Sequence, residues 1–131
     1  MGKPIMIEIA PGELLDKLSI LEIKLARITD PKKLAHVRAE HQLLAAARGE
    51  GIPHSTVVDA LFARLKQVNA TLWDVEDDIR EEERAKRFGE RFVELARAVY
   101  VTNDQRAAIK QEINLLLESQ IVEEKSYASY R

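Results

Sequence analysis

Residues 56–79 read TVVDALFARLKQVNATLWDVEDDI. Val58, Leu61, Leu65, Val68, Leu72, Val75 and Ile79 recur at steps of 3, 4, 3, 4, 3 and 4. On a helix such steps place every one of these side chains on one stripe, so the spacing predicts a long helix packed along its length. Thr56 with Asp59 resembles a capping box at its start, with Asp in place of Glu. Phe62 and Trp73 lie off the stripe and are available to a neighbouring helix. Beyond Ile79, the stretch REEERAKR (80–87) carries only Ala85 as an apolar residue. It cannot be core, and it reads as the solvated end of a helix spanning 56–87.

Upstream, Gly49-Glu50-Gly51-Ile52-Pro53 reads as a loop, with Gly49 ending a helix over 31–48. That helix carries Leu34, Val37, His41 and Leu44 on one face and starts at Asp30-Pro31, a good cap followed by a good first residue. A further helix covers 11–28, opened by Pro11 and Glu13. Leu14, Leu18, Leu21, Leu25 and Ile28 form its seam, and Leu15, Ile20 and Ile23 lie off it. A helix apolar over so much of its circumference must be covered from more than one side, by other helices or by another subunit. Residues 4–9, PIMIEI, alternate with period two. They predict a short extended arm lying on helices, or a strand paired with its equivalent in another copy.

Downstream, Gly89 breaks the register and Phe88, Phe92, Leu95 and Val99 restart on a new phase, predicting a helix over 89–101. Thr102-Asn103-Asp104-Gln105 has the pattern of a capping box and opens a fifth helix over 103–125 on Ile109, Ile113, Leu116, Leu117 and Ile121. The tail SYASYR is short enough to be docked.

Composition agrees. The 131 residues suit one domain, 1–131. Aromatics are 5% and glycine plus proline number 5 and 4, a balance that favours helices over turn-rich sheets. Twenty Lys plus Arg against 22 Asp plus Glu give a net charge of −2, which excludes a strongly basic nucleic-acid coat. Without cysteine there is no disulfide, thiolate metal site or thiol catalysis. The longest uncharged apolar run, Leu43 to Ala47, is far short of the roughly 20 residues of a membrane-spanning helix. The first ten residues lack a signal-peptide core, so a cytoplasmic address is expected.

The strings GELLDKLSILEIK (12–24), LWDVEDDIR (72–80), ELARAVYVTNDQRAAIKQEIN (94–114) and IVEEKSY (121–127) resemble, in order, a family of small bacterial proteins catalogued as a domain of unknown function. The resemblance implies a bacterial cytoplasmic protein and assigns no activity, ligand or site residue.

Sites for chemistry are few. Asp74, Asp77, Asp78 and Glu81 share one helix face and could hold Mg²⁺ with a phosphate substrate, as carboxylates do in all-α nucleotide pyrophosphohydrolases. Those enzymes need a second pair of carboxylates on the next helix, which the sequence does not offer. Arg80, Arg84, Lys86 and Arg87 are interleaved, so pairs such as Glu76–Arg80 and Glu83–Arg87 on a solvated helix account for the same residues. His36 and His41 are five apart, not on one face, and His54 sits in a loop, so no metal site is expected of them. His41 reads as a packed residue. None of the serines sits in a nucleophile elbow, and no glycine-rich phosphate loop is present. Residues 13–28 also resemble the first helix of helical chorismate mutases, for which Lys24, Arg27, Lys33 and Arg38 would be the cations; any amphipathic helix of this composition looks the same. Lys32, Lys33 and Arg38, and Arg84, Lys86, Arg87 and Arg91, are small basic patches diluted by acidic neighbours.

The sequence therefore predicts an all-α, antiparallel helical bundle with coiled-coil-like packing. It has about five helices, one of them long, and a short extended N-terminal segment. The expected role is a non-enzymatic interaction or structural protein. It would form a homodimer or higher homo-oligomer, or bind another protein, with no cofactor, nucleic acid or membrane. The alternative is a small-molecule enzyme with a carboxylate–Mg²⁺ site on the long helix.

Overall fold

The computed structural model describes residues 2–130, so the outer limits of the 1–131 reading, Met1 and Arg131, lie outside the described residues. Four helices follow one another: α1 (Pro11–Arg27), α2 (Pro31–Gly51), α3 (Thr56–Arg84) and α4 (Glu90–Leu116). Among the described residues there is no strand, and no helix is long and apolar enough to cross a membrane.

The long helix forms as its spacing predicts, with one shift at the start. Ser55, not Thr56, is the cap: its Oγ accepts from the N–H of Val57 and Val58 at 3.2 and 3.3 Å. Asp59 is thereby freed to meet Arg48 at 3.1 Å. The helix stops at Arg84 rather than 87, because Lys86 takes a left-handed φ of 57° and closes the end. The predicted end of α2 at Arg48 is also too early. Gly49 and Gly51 stay helical, and the last turn carries Ile52 onto the core, its N–H donating to Arg48 O at 2.9 Å.

The predicted helices 89–101 and 103–125 are one helix, α4. Thr102 does not cap anything; its side chain is buried inside α4. Phe88, Phe92, Leu95, Val99, Thr102, Arg106, Ile109, Ile113 and Leu116 alternate steps of 4 and 3 without a break. Two polar residues on the stripe imitate a boundary. No glycine or proline lies between 90 and 116 to make a real one. α4 also ends at Leu116, well before 125, where Glu118 adopts φ 52° and the Ser119 N–H donates to Asn114 O at 2.8 Å.

α3 and α4 form an antiparallel hairpin, crossed by Arg64–Glu112 (3.2 Å) at one level and Asp78–Arg91 (3.5 Å) at another. α1 lies in the cleft of that hairpin, antiparallel to α4, and α2 folds back over the other side of α1. Eight of the 17 residues of α1 are buried. Its apolar girth is thus covered within the chain, by other helices. The shared core is Leu14, Leu15, Leu18, Val58, Leu61, Leu65, Ile109 and Ile113. Burying each such side chain is worth about 1.5–3 kcal/mol. α2 contributes only Val37 to the buried set, with Leu44 and Ala45 partly buried against the core.

Gly12 explains how closely α1 and α4 approach. A Cβ there would stand 2.6 Å from the Lys110 carbonyl oxygen and 2.8 Å from Asn114 Oδ1. Ala10, the cap of α1, has no side chain able to accept a hydrogen bond, so Asn114 supplies the acceptor from α4: Gly12 N–H donates to its Oδ1 at 2.8 Å.

Candidate functional site

Polar side chains from three helices converge where α1 crosses the hairpin. Asp16 of α1 is 1% exposed. Its carboxylate accepts from Arg106 Nε at 2.8 Å and also from Arg106 Nη2, a two-pronged pair. Asn69 of α3 donates from Nδ2 to Asp16 Oδ1 (2.9 Å) and to Ser19 Oγ (2.8 Å). Ser19 in turn donates to the Asp16 carbonyl at 2.8 Å. One helical turn away, Lys110 of α4 bridges Glu13 (2.7 Å) and Glu123 (3.0 Å).

Burial pushes the Asp16 carboxyl up, but hydrogen bonds from Arg106 and Asn69 and the charges of Arg106 and Lys110 outweigh it. The group stays below the usual carboxylate range. The hydrogen bond to Asp16 raises Arg106 against its own burial. Burial lowers Lys110, and its two carboxylate partners more than restore it. Among the described residues no buried side-chain nitrogen or oxygen lacks a partner. A carboxylate held charged by a guanidinium and an amide is not poised to move protons near neutral pH. What the cluster does is fix α1: one rotation and one height along the hairpin satisfy every member.

The sequence reading singled out none of Asp16, Asn69 and Arg106. The signal was there for Arg106 and Thr102, which sit on the α4 stripe. A polar residue on an otherwise apolar stripe, inside a helix with no breaker, asks for a buried partner.

The candidate metal ligands are elsewhere, on the outer half of α3. Asp74 meets Arg27 of α1 at 2.6 Å, Asp78 meets Arg91 of α4, and Glu81 meets Arg84 at 2.7 Å. Asp77 is exposed at the rim of a groove of about 330 Å³ with Trp73, Glu76, Arg80 and Arg106. The neighbouring helices thus bring arginines to this face, not carboxylates. Among the described residues no three His, Asp or Glu side chains are grouped to hold a cation. The Arg84 hydrogen bond holds the Glu81 carboxyl below its ordinary value.

The expected Glu76–Arg80 pair forms. Arg87 pairs with Glu82 rather than Glu83, because it lies beyond the end of α3 where helical spacing no longer applies. His41 is half-buried on α2, His36 is exposed, and exposed His54 stands 3.8 Å from Asp59. Of the four cations weighed for a dicarboxylate, Arg27 is taken by Asp74, Lys24 is half-buried on α1, and Lys33 and Arg38 are exposed on α2.

A second feature is the end of the bundle where both terminal segments leave it. Residues 2–9 are extended, and Ile5, Met6 and Ile7 are 88%, 88% and 73% exposed. Among the described residues no backbone hydrogen bond joins residues 4–9 to the helices. At the same end, where Gly12 meets Asn114 and Lys110 bridges Glu13 and Glu123, Leu115, Leu116, Ile121 and Val122 are exposed. From Gln120 the C-terminal segment returns along α4, ending where Tyr130 donates to Asp104 Oδ2 at 2.7 Å and meets Tyr100 edge-on with ring centres 5.0 Å apart. The tail is therefore docked. It stands off the helix over a cavity of about 950 Å³ bordered by Val99, Asn103, Ala108 and Tyr127.

No curated protein and no solved structure matches the chain. One family model does, over residues 5–130, nearly the whole sequence. By that match the chain belongs to the family of unknown function DUF6165.

Proposed function

We propose that this chain is a non-enzymatic helical interaction protein that pairs with a second copy of itself. The contact surface is the end of the bundle where both terminal segments emerge. The observation that carries this is the gathering of Ile5, Met6, Ile7, Leu115, Leu116, Ile121 and Val122, all exposed, at one end. Apolar side chains grouped in this way mark interaction surfaces. The arm adds a reason for a like partner. Its period-two sequence and unpaired backbone suit an isologous pairing of two arms about a two-fold axis. Coiled-coil-like packing of α3 on α4, supported by their unbroken spacing, would supply a stiff support behind this surface. The family resemblance supports a bacterial cytoplasmic setting.

Equilibrium sedimentation at micromolar concentration tests the reading. A dimer or larger species is expected for the full chain, and Ile5→Glu with Ile7→Glu should return it to monomer. A full chain that sediments as a monomer throughout overturns the proposal.

A further inference from the structure

We infer that residues 119–130 exchange between two copies, so that the outer face of α4 takes the C-terminal segment of a second copy in place of its own. This rests on the self-association proposed above and names a route for it. The occupant is fixed by the fold, because an identical segment already lies on that face. Among the contacts that hold it are Glu123 on Lys110 near its start and Tyr130 on Asp104 and Tyr100 at its end. Every residue from Gln120 to Tyr130 is exposed, and residues 125–130 border a cavity shared with α4. Both anchoring contacts can be remade unchanged by a partner's segment, which is the condition for a swap.

The hinge supplies the drive. α4 turns back at Glu118, a non-glycine residue at φ 52°, where an L side chain is disfavoured. No glycine or proline lies between 90 and 130, and the step from Ile113 through Leu117 to Ile121 continues the helical spacing past the observed end. A straightened α4 is therefore open to this sequence. Straightening removes the strained residue and points the segment away from its own bundle. It also brings Leu116 and Ile121 onto the surface that a second copy would cover.

The chain has no cysteine, which makes a mixing experiment clean. One batch carries Ala108→Cys and another Ala128→Cys, which border the same cavity and leave the anchoring contacts in place. They are mixed at high micromolar concentration and treated with a short bismaleimide. A covalent heterodimer on a denaturing gel, absent when either batch is treated alone, is the expected result. If sedimentation shows dimers but the mixture gives no heterodimer, while the double variant bridges internally, exchange is overturned and self-association stands. If sedimentation shows only monomers, both fall. As a second measurement, Glu118→Gly removes the penalty of the folded-back hinge and should weaken dimerisation about tenfold, whereas Glu118→Ala should leave it unchanged. A dimerisation constant indifferent to Glu118→Gly also overturns the inference.

Discussion

The two halves of the α3–α4 hairpin carry the same spacing and differ in what covers them. In the half holding α1, the stripe residues Val58, Leu61 and Leu65 of α3 and Ile109 and Ile113 of α4 are all buried. In the outer half, beyond the Arg27–Asp74 contact at the end of α1, Val75, Ile79 and Phe92 continue the stripes yet remain partly exposed, and Leu95 alone is buried. Two helices cannot bury a full stripe between them; a third must close the cleft. Spacing thus says which face turns inward, and the length of α1, 17 residues against 29 and 27, says how much of that face becomes core.

The largest expected effect breaks the polar cluster that seats α1. Arg106→Met leaves Asp16 charged and buried without its partner, and urea unfolding should show a loss of about 3–5 kcal/mol. The stripe itself offers the sharpest contrast. Leu65→Ala should cost about 2–5 kcal/mol, and Ile79→Ala, four steps further along the same stripe, less than about 1.5 kcal/mol. Equal losses would mean that the outer half is covered after all. A contrast between glycines comes next. Gly12→Ala, pressed against the Lys110 carbonyl, should destabilise by about 1–3 kcal/mol, while Gly89→Ala, which meets nothing within 4 Å, should stay within about 0.5 kcal/mol.

Acid should act chiefly on the inner half, where the lowered carboxyl is buried. The Asp16 carboxyl is lowered in the folded chain, so its contribution is present above its unfolded value of 3.8 and fades as pH falls through the lower folded value. Urea midpoints should therefore drop below pH 4, and an Asp16→Asn variant should show a flatter decline. The smallest effect belongs to the outer half: Glu81→Gln, in an exposed pair with Arg84, should leave the urea midpoint where it is.

The long helix, the Pro11 and Asp30-Pro31 starts and the all-helical class were legible because spacing and caps act locally. The division of α4 was misread for a physical reason. Thr102 and Arg106 interrupt the apolar stripe, and a polar interruption looks like a boundary until its buried partner is known. That partner, Asp16, lies 90 residues away from Arg106, beyond the reach of any local pattern. The end of α4 was misplaced because Glu118 closes it in a conformation usually left to glycine. The acidic run was legible as a solvated face, since alternating signs three and four apart satisfy one another wherever the helix lies.

The amide of Gly12 finds its acceptor in Asn114, 102 residues further along. A ribosome therefore delivers the first helix long before it delivers the group that completes it. Until α4 is made the nascent chain holds an oily rod with no cleft to enter. Productive folding waits on α4, and a messenger cut short before it yields a product with its greasiest segment bare.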